Sequence, residues 1–139
     1  MSTRVVLDTN VLYTGLRSRN GASFRLLKNI GSGNFQTCVS VPLVLEYQQT
    51  LLGKQSDLGL SAAAIEDVID YICLIAHKQR VFYLWRPFLR DSKDDMVLEL
   101  AVAAECPYIV TYNRKDFKGA ERFGVSIVKP IEFLQSIGE

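Results

Sequence analysis

The chain has 139 residues, 48% of them hydrophobic and 22% charged, enough for one sizeable core and too apolar for a disordered or fibrous protein. The formal charge is +1, from 16 basic and 15 acidic residues, so no global field attracts nucleic acid and any such contact must come from a local patch. Three unpaired cysteines (Cys38, Cys73, Cys106) and one histidine exclude a disulfide framework and a zinc site, and suit a reducing compartment.

Val5-Val6-Leu7 reads as a short buried strand that ends in Asp8. A helix is expected over Val11–Leu16, broken by Ser18-Arg19-Asn20-Gly21, and another over Ser23–Ile30, closed by Gly31-Ser32-Gly33-Asn34. Phe35–Val41 forms a second strand, and Pro42 suits the first position of a helix reaching Leu52. Gln55–Gly59 reads as a loop. Ser61 then caps a helix to about Ala76, with Ile65, Val68, Ile69, Ile72 and Ile75 inward and His77 at its end.

A third strand is expected over Val81–Leu84, with a break at Trp85-Arg86-Pro87. Asp91–Ala104 is a helix, Tyr108–Thr111 a fourth strand, Gly119–Phe123 a short helix or turn, and Val125–Val128 a fifth strand. Pro130 opens a last helix to about Ile137. Strands alternating with helices imply βαβ units: one three-layer α/β/α sandwich over residues 1–139, with a central, mostly parallel five-stranded sheet. No segment reaches the roughly 18 apolar residues that cross a bilayer, and there is no signal core, so a soluble cytoplasmic protein is expected.

The acidic residues carry the chemistry. Ligands of open α/β sheets bind at the carboxyl ends of strands, where Asp8 falls, although Asp8 also suits a helix N-cap. Glu46 stands in the apolar run Val41-Pro42-Leu43-Val44-Leu45-Glu46-Tyr47, either buried with compensation or on an outward helix face. In Asp91-Ser92-Lys93-Asp94-Asp95, Asp94 shares the stripe of Val97, Leu98, Ala101 and Ala104 and is assigned to the site. Asp95, third after Ser92, is assigned to a capping box, and Asp91 to a solvated turn. Asn113 and Asp116 follow the fourth strand on the edge that holds Asp8; as Asn and Asp they also suit turns. Convergent carboxylates suit hard divalent cations and phosphodiester hydrolysis.

These segments resemble the PIN-domain family, in particular the VapC-like toxins of toxin–antitoxin pairs. The likeness rests on Val6-Leu7-Asp8-Thr9-Asn10-Val11-Leu12, the helical Glu46 after Ser40-Val41-Pro42, the segment Asp91 to Leu98, and Val110-Thr111-Tyr112-Asn113-Arg114-Lys115-Asp116-Phe117. It implies an endoribonuclease dependent on Mg²⁺ or Mn²⁺ that leaves a 5′-phosphate and a 3′-hydroxyl. Asp8, Glu46 and Asp94 match the core acids, Asn10 and Thr111 the polar groups supporting them. Many relatives carry Asp where this chain has Asn113; Asp116 is expected to take part of that role, with one ion held tightly and a second weakly.

Phosphate contacts are expected from Arg17, Arg19, Arg114, Lys115, Lys118 and Arg122, and Tyr112 either stacks on a base or packs. The expected partners are an RNA substrate, a protein antitoxin and a second copy of the chain, on apolar faces of the helices around Val11–Leu16 and Ile65–Ile75. The alternative is a catalytically weak or inactive PIN-like module that binds RNA or protein, which Asn113 keeps open. A haloacid-dehalogenase-type phosphatase also opens on a strand-end Asp, but it needs a second acid two residues on, where this chain has Asn10.

Overall fold

Val5, Val6 and Leu7 are all buried, and because successive strand residues point to opposite faces, their strand must be covered on both sides. The structure, a computed structural model, describes residues 3–81 and 88–139. Within them five strands form one sheet: β1 (Thr3–Leu7), β2 (Phe35–Val39), β3 (His77–Lys78), β4 (Tyr108–Val110) and β5 (Ser126–Val128). Their order is β3-β2-β1-β4-β5 and every pair is parallel. The helices are α1 (Thr9–Arg17), α2 (Ala22–Lys28), α3 (Val41–Leu52), α4 (Gln55–Leu58), α5 (Ala62–Ile75), α6 (Ser92–Ala103) and α7 (Pro130–Ser136). They cover the sheet as an α/β/α sandwich: α6 lies across β1, β2 and β4, α5 packs on α3 and β2, and α2 on α1 and α7.

The strand order reverses at β1. From β1 the chain steps outward to β2 and β3, then returns across the sheet to β4 and β5. Such a reversal opens a crevice at the carboxyl ends of the two central strands, here between Leu7 and Val110. The backbone extends the pairing past both strand ends: Asp8 N–H donates to the Val110 carbonyl at 2.9 Å, tying β1 to β4, and Thr111 N–H to the Val128 carbonyl at 2.9 Å, tying β4 to β5.

Local departures from the sequence reading have identifiable causes. The second strand stops at Val39 because Ser40 turns to cap α3, accepting from the Leu43 N–H, so that Val41 rather than Pro42 opens the helix. The expected loop after α3 contains the single turn α4, closed by Gly59 in the left-handed conformation (φ 65°) that glycine adopts without penalty. His77 belongs to no helix: α5 ends at Ile75, Ala76 is extended, and His77 pairs with Cys38 in the edge strand β3. The strand expected over 81–84 and its break at 85–87 lie outside the described residues, apart from Val81, which is in no strand. Among the described residues no helix is long and apolar enough to cross a membrane.

Candidate active site

Four acids reach the crevice from four different elements. Asp8 leaves the end of β1, Glu46 projects from the second turn of α3, Asp94 from the first turn of α6, and Asp116 from a 3₁₀ turn over Arg114–Phe117. Together with Asn10, Asn113 and Asp91 they line one pocket of about 320 Å³. The same pocket takes in Thr9, Tyr13, Thr50, Lys54 and Lys93, none of which the sequence reading had singled out. Spacing held a signal for two of them: Thr50 is one helical turn from Glu46, and Tyr13 one turn from Thr9.

The two carboxylate oxygens of Asp8 have different partners. Its Oδ1 accepts from the Thr9 N–H at 2.9 Å and so caps α1. Its Oδ2 accepts from the Thr111 hydroxyl at 2.8 Å and from Asn10 Nδ2 at 3.4 Å. Thr111 is fully buried, and its Oγ1 also accepts from Asn10 Nδ2 at 3.2 Å and from the Asn113 N–H at 3.1 Å. The Tyr112 N–H donates to Asn10 Oδ1 at 3.3 Å. Asn10 and Thr111 thus tie the end of β1 to the loop after β4. Beneath them the buried Tyr47 hydroxyl donates to the Leu7 carbonyl, fixing the residue before Asp8 from the α3 side.

The other acids are less committed. Glu46 accepts from the Thr50 hydroxyl at 3.2 Å and stands 3.6 Å from Lys93 Nζ. Asp91, expected in a solvated turn, is the N-cap of α6 and accepts from the Lys93 N–H at 2.9 Å. Asp95, expected in a capping box, instead accepts from the Phe88 and Leu89 N–H groups at 3.2 and 2.8 Å. The cause is the extended backbone at Asp91, which makes Asp91 the N-cap and Ser92 the first helical residue, so that Asp95 stands one position too far along for a capping box and turns toward the preceding loop.

Crowded like charges leave their mark on the carboxyls. Burial raises Asp8 above its ordinary 3.8, opposed by the bonds from Thr111 and Thr9 and assisted by Glu46 and Asp116. Asp94 is pushed to about 7, by burial first and then by Asp8, Asp116, Asp91 and Asp95. Carboxylates in this state favour a cation, and the donor set is all oxygen, as Mg²⁺ and Mn²⁺ require. Thr9 also lines the pocket, and among the described residues its buried Oγ1 has no hydrogen-bond partner. Among the described residues no three acidic, His or Cys side chains are already drawn together as a ligand set. Glu46 is directed to Lys93 and Thr50.

The cations expected at the mouth divide. Arg114 is ion-paired with Glu132 of α7. The Arg17 guanidinium lies 5.9 Å over the Tyr13 ring, at the pocket's border. Lys115 and Lys118 line a neighbouring cleft that shares Asp116. The Tyr112 hydroxyl bonds Ser23 of α2 at 2.5 Å, which favours packing over stacking for that ring.

A PIN domain profile matches residues 4–115 of the sequence. The fold is similar to a chain in the crystal structure of VapBC2 from Rickettsia felis bound to a DNA fragment from its promoter, with a TM-score of 0.61 at 12% identity, covering 91% of this chain and 98% of that one. No curated protein matches the sequence.

Proposed function

This chain belongs to the PIN-domain family, and from that premise we propose that it is a single-domain, divalent-metal-dependent endoribonuclease, the toxin of a toxin–antitoxin pair. The observation that carries the reading is the convergence of Asp8, Glu46, Asp94 and Asp116 from four elements on one pocket at the β1/β4 reversal. Asp8, Glu46 and Asp94, with Asn113 and Asp116, would hold Mg²⁺ or Mn²⁺. A bound ion there lowers the pKa of a coordinated water and offsets the charge that develops on phosphate.

The chain's own residues supply the rest. Thr111 and Asn10 hold the Asp8 carboxylate in one orientation, so that little reorganisation is left for the reaction. Lys54 and Lys93 stand at the pocket wall, where they can meet substrate phosphate oxygens, with Lys115 and Lys118 beyond Asp116. The VapBC2 likeness supports an antitoxin partner, and a cytoplasmic homodimer is proposed with it.

Asn113 favours a second reading, a PIN-like module that binds RNA or protein without cutting, because an amide brings no charge where many relatives have an acid. Labelled single-stranded RNA incubated with the protein in Mn²⁺, Mg²⁺ or EDTA separates the two. Cleavage that needs metal and is lost in Asp8→Asn supports the nuclease. Absence of cleavage by folded wild type in either ion sinks it and leaves the binding module.

A further inference from the structure

Beside the carboxylate pocket lies a cleft of about 490 Å³ lined by Phe88, Leu89, Arg90, Lys115, Asp116 and Lys118. Among the described residues its ionic balance is the reverse of its neighbour's: three cations to one carboxylate, against five carboxylates to two lysines. Asp116 lies in both walls, so the two spaces adjoin.

The apolar wall is a built feature. Phe88 is 37% exposed, yet its backbone is pinned: the N–H groups of Phe88 and Leu89 both donate to Asp95 Oδ1, and Asp95 is only 8% exposed. A buried carboxylate is costly unless its partners are charge-assisted, and here two backbone amides take that role. Leu89 anchors the same loop in the core. The ring itself is framed by Phe123, edge-on at 5.2 Å and 85°, and by the Arg122 guanidinium at 5.9 Å. Gly119 passes so close that a Cβ there would lie 3.0 Å from the ring, and its φ of 93° suits glycine.

A large ring held this firmly at an open cleft, with cations on the rim, matches the two faces of an unpaired nucleotide: a flat π-surface and a phosphate. Resting on the ribonuclease reading of the adjoining pocket, we propose that this cleft is a subsite for single-stranded RNA. It takes one unpaired nucleotide next to the scissile phosphate, with the base on Phe88 and its phosphate on Arg90, Lys115 and Lys118. Bases inside a duplex are already stacked on their neighbours, so the subsite selects unpaired RNA. Asp95 acts as a positioning residue for Phe88.

Fluorescence anisotropy in EDTA, where cleavage is blocked, tests this with a short labelled RNA presented single-stranded and as a duplex. Phe88→Ala should weaken single-strand binding about tenfold and leave duplex binding nearly unchanged, while Phe88→Trp should restore it. Lys115→Ala should lower the slope of log affinity against log salt by about 1 for the single strand. Unchanged affinity in Phe88→Ala, an equal loss for duplex and single strand, or no rescue by Trp overturns the subsite. Cleavage in Mn²⁺ reads the other claim separately. Wild type that cuts but ignores Phe88 keeps the nuclease and loses the subsite; Phe88-dependent binding without cutting does the opposite.

Discussion

Replacing Asp94 by Asn should stabilise the metal-free protein above pH 7 and remove most of its stabilisation by divalent ions. In the folded chain the carboxyl is raised from 3.8 to about 7, chiefly by burial and then by four neighbouring aspartates. A raised acid favours the neutral form, so below pH 3.8, where folded and unfolded chains are both protonated, it costs nothing. The cost grows between pH 3.8 and 7, as the unfolded chain ionises and the folded one does not, and is complete above pH 7. At 1.36 kcal/mol per pH unit the ceiling is about 4 kcal/mol. Asp94 keeps an open side toward solvent, and screening reduces the figure to about 1 kcal/mol.

The amide has the carboxylate's shape without its charge. In EDTA at pH 8, Asp94→Asn should therefore melt roughly 3 °C above wild type, and the gap should close as the pH falls toward 4. Adding Mn²⁺ at ten times its dissociation constant should raise wild type by about 1.4 kcal/mol and the variant far less. Differential scanning fluorimetry across pH and metal reads both effects. A variant that melts at or below wild type in EDTA at pH 8 would show that Asp94 is not electrostatically strained. A variant that gains from Mn²⁺ as much as wild type would remove Asp94 from the ligand set.

Thr111→Val keeps the buried shape but deletes the hydroxyl that donates to Asp8, and should cost about 1–2 kcal/mol in urea unfolding and at least tenfold in cleavage; unchanged cleavage would deny Thr111 a positioning role. Asp95→Ala strands two backbone amides and should cost about 2–3 kcal/mol by chemical denaturation, whereas a loss under about 0.5 kcal/mol would mean that the loop is held by other means. Gly15→Ala brings a Cβ to 2.5 Å from Leu27 Cδ1 and 3.0 Å from the Ser23 carbonyl, so the α1–α2 contact must open, at about 1–3 kcal/mol in the same assay. Lys93→Ala removes a long 3.6 Å pair whose lysine is 68% exposed although Glu46 is only 19% exposed, and should change metal-free stability by less than about 1 kcal/mol.

The sequence disclosed what depends on strong local pattern. β1 and β4 are legible because apolar runs bounded by polar residues leave no other element, and with them come Asp8 and Thr111. Asp94 is placed on the pocket side by helical period, whereas period left Glu46 open between a buried and an outward face and only the resemblance singled it out. β3 is not legible, because two residues carry no periodicity, and its pairing is decided by the open edge of β2. Neither is α4, a single turn whose only signature is the glycine that ends it. The lysines at the pocket wall escaped for a different reason: Lys54 lies beyond the end of α3, and only the packing of α3 beside α1 brings it near Tyr13, at 6.0 Å from that ring.

The division of labour among the acids of α6 follows from helix geometry. Successive residues differ by about 100° in direction, so Asp94 and Asp95 cannot serve the same space. Asp94 faces the carboxylate pocket while Asp95 faces the loop that carries Phe88, and Asp91 caps the helix they share. One rigid first turn therefore sets the distance between the proposed hydrolytic centre and the proposed base platform. A neutral residue at either position changes one function directly, but a change that shifts the turn itself, such as loss of the Asp91 cap, displaces both. The clustered acids, a plain run of N-terminal helix charges by composition, separate into a cap, a proposed ligand and a brace once the backbone direction is known.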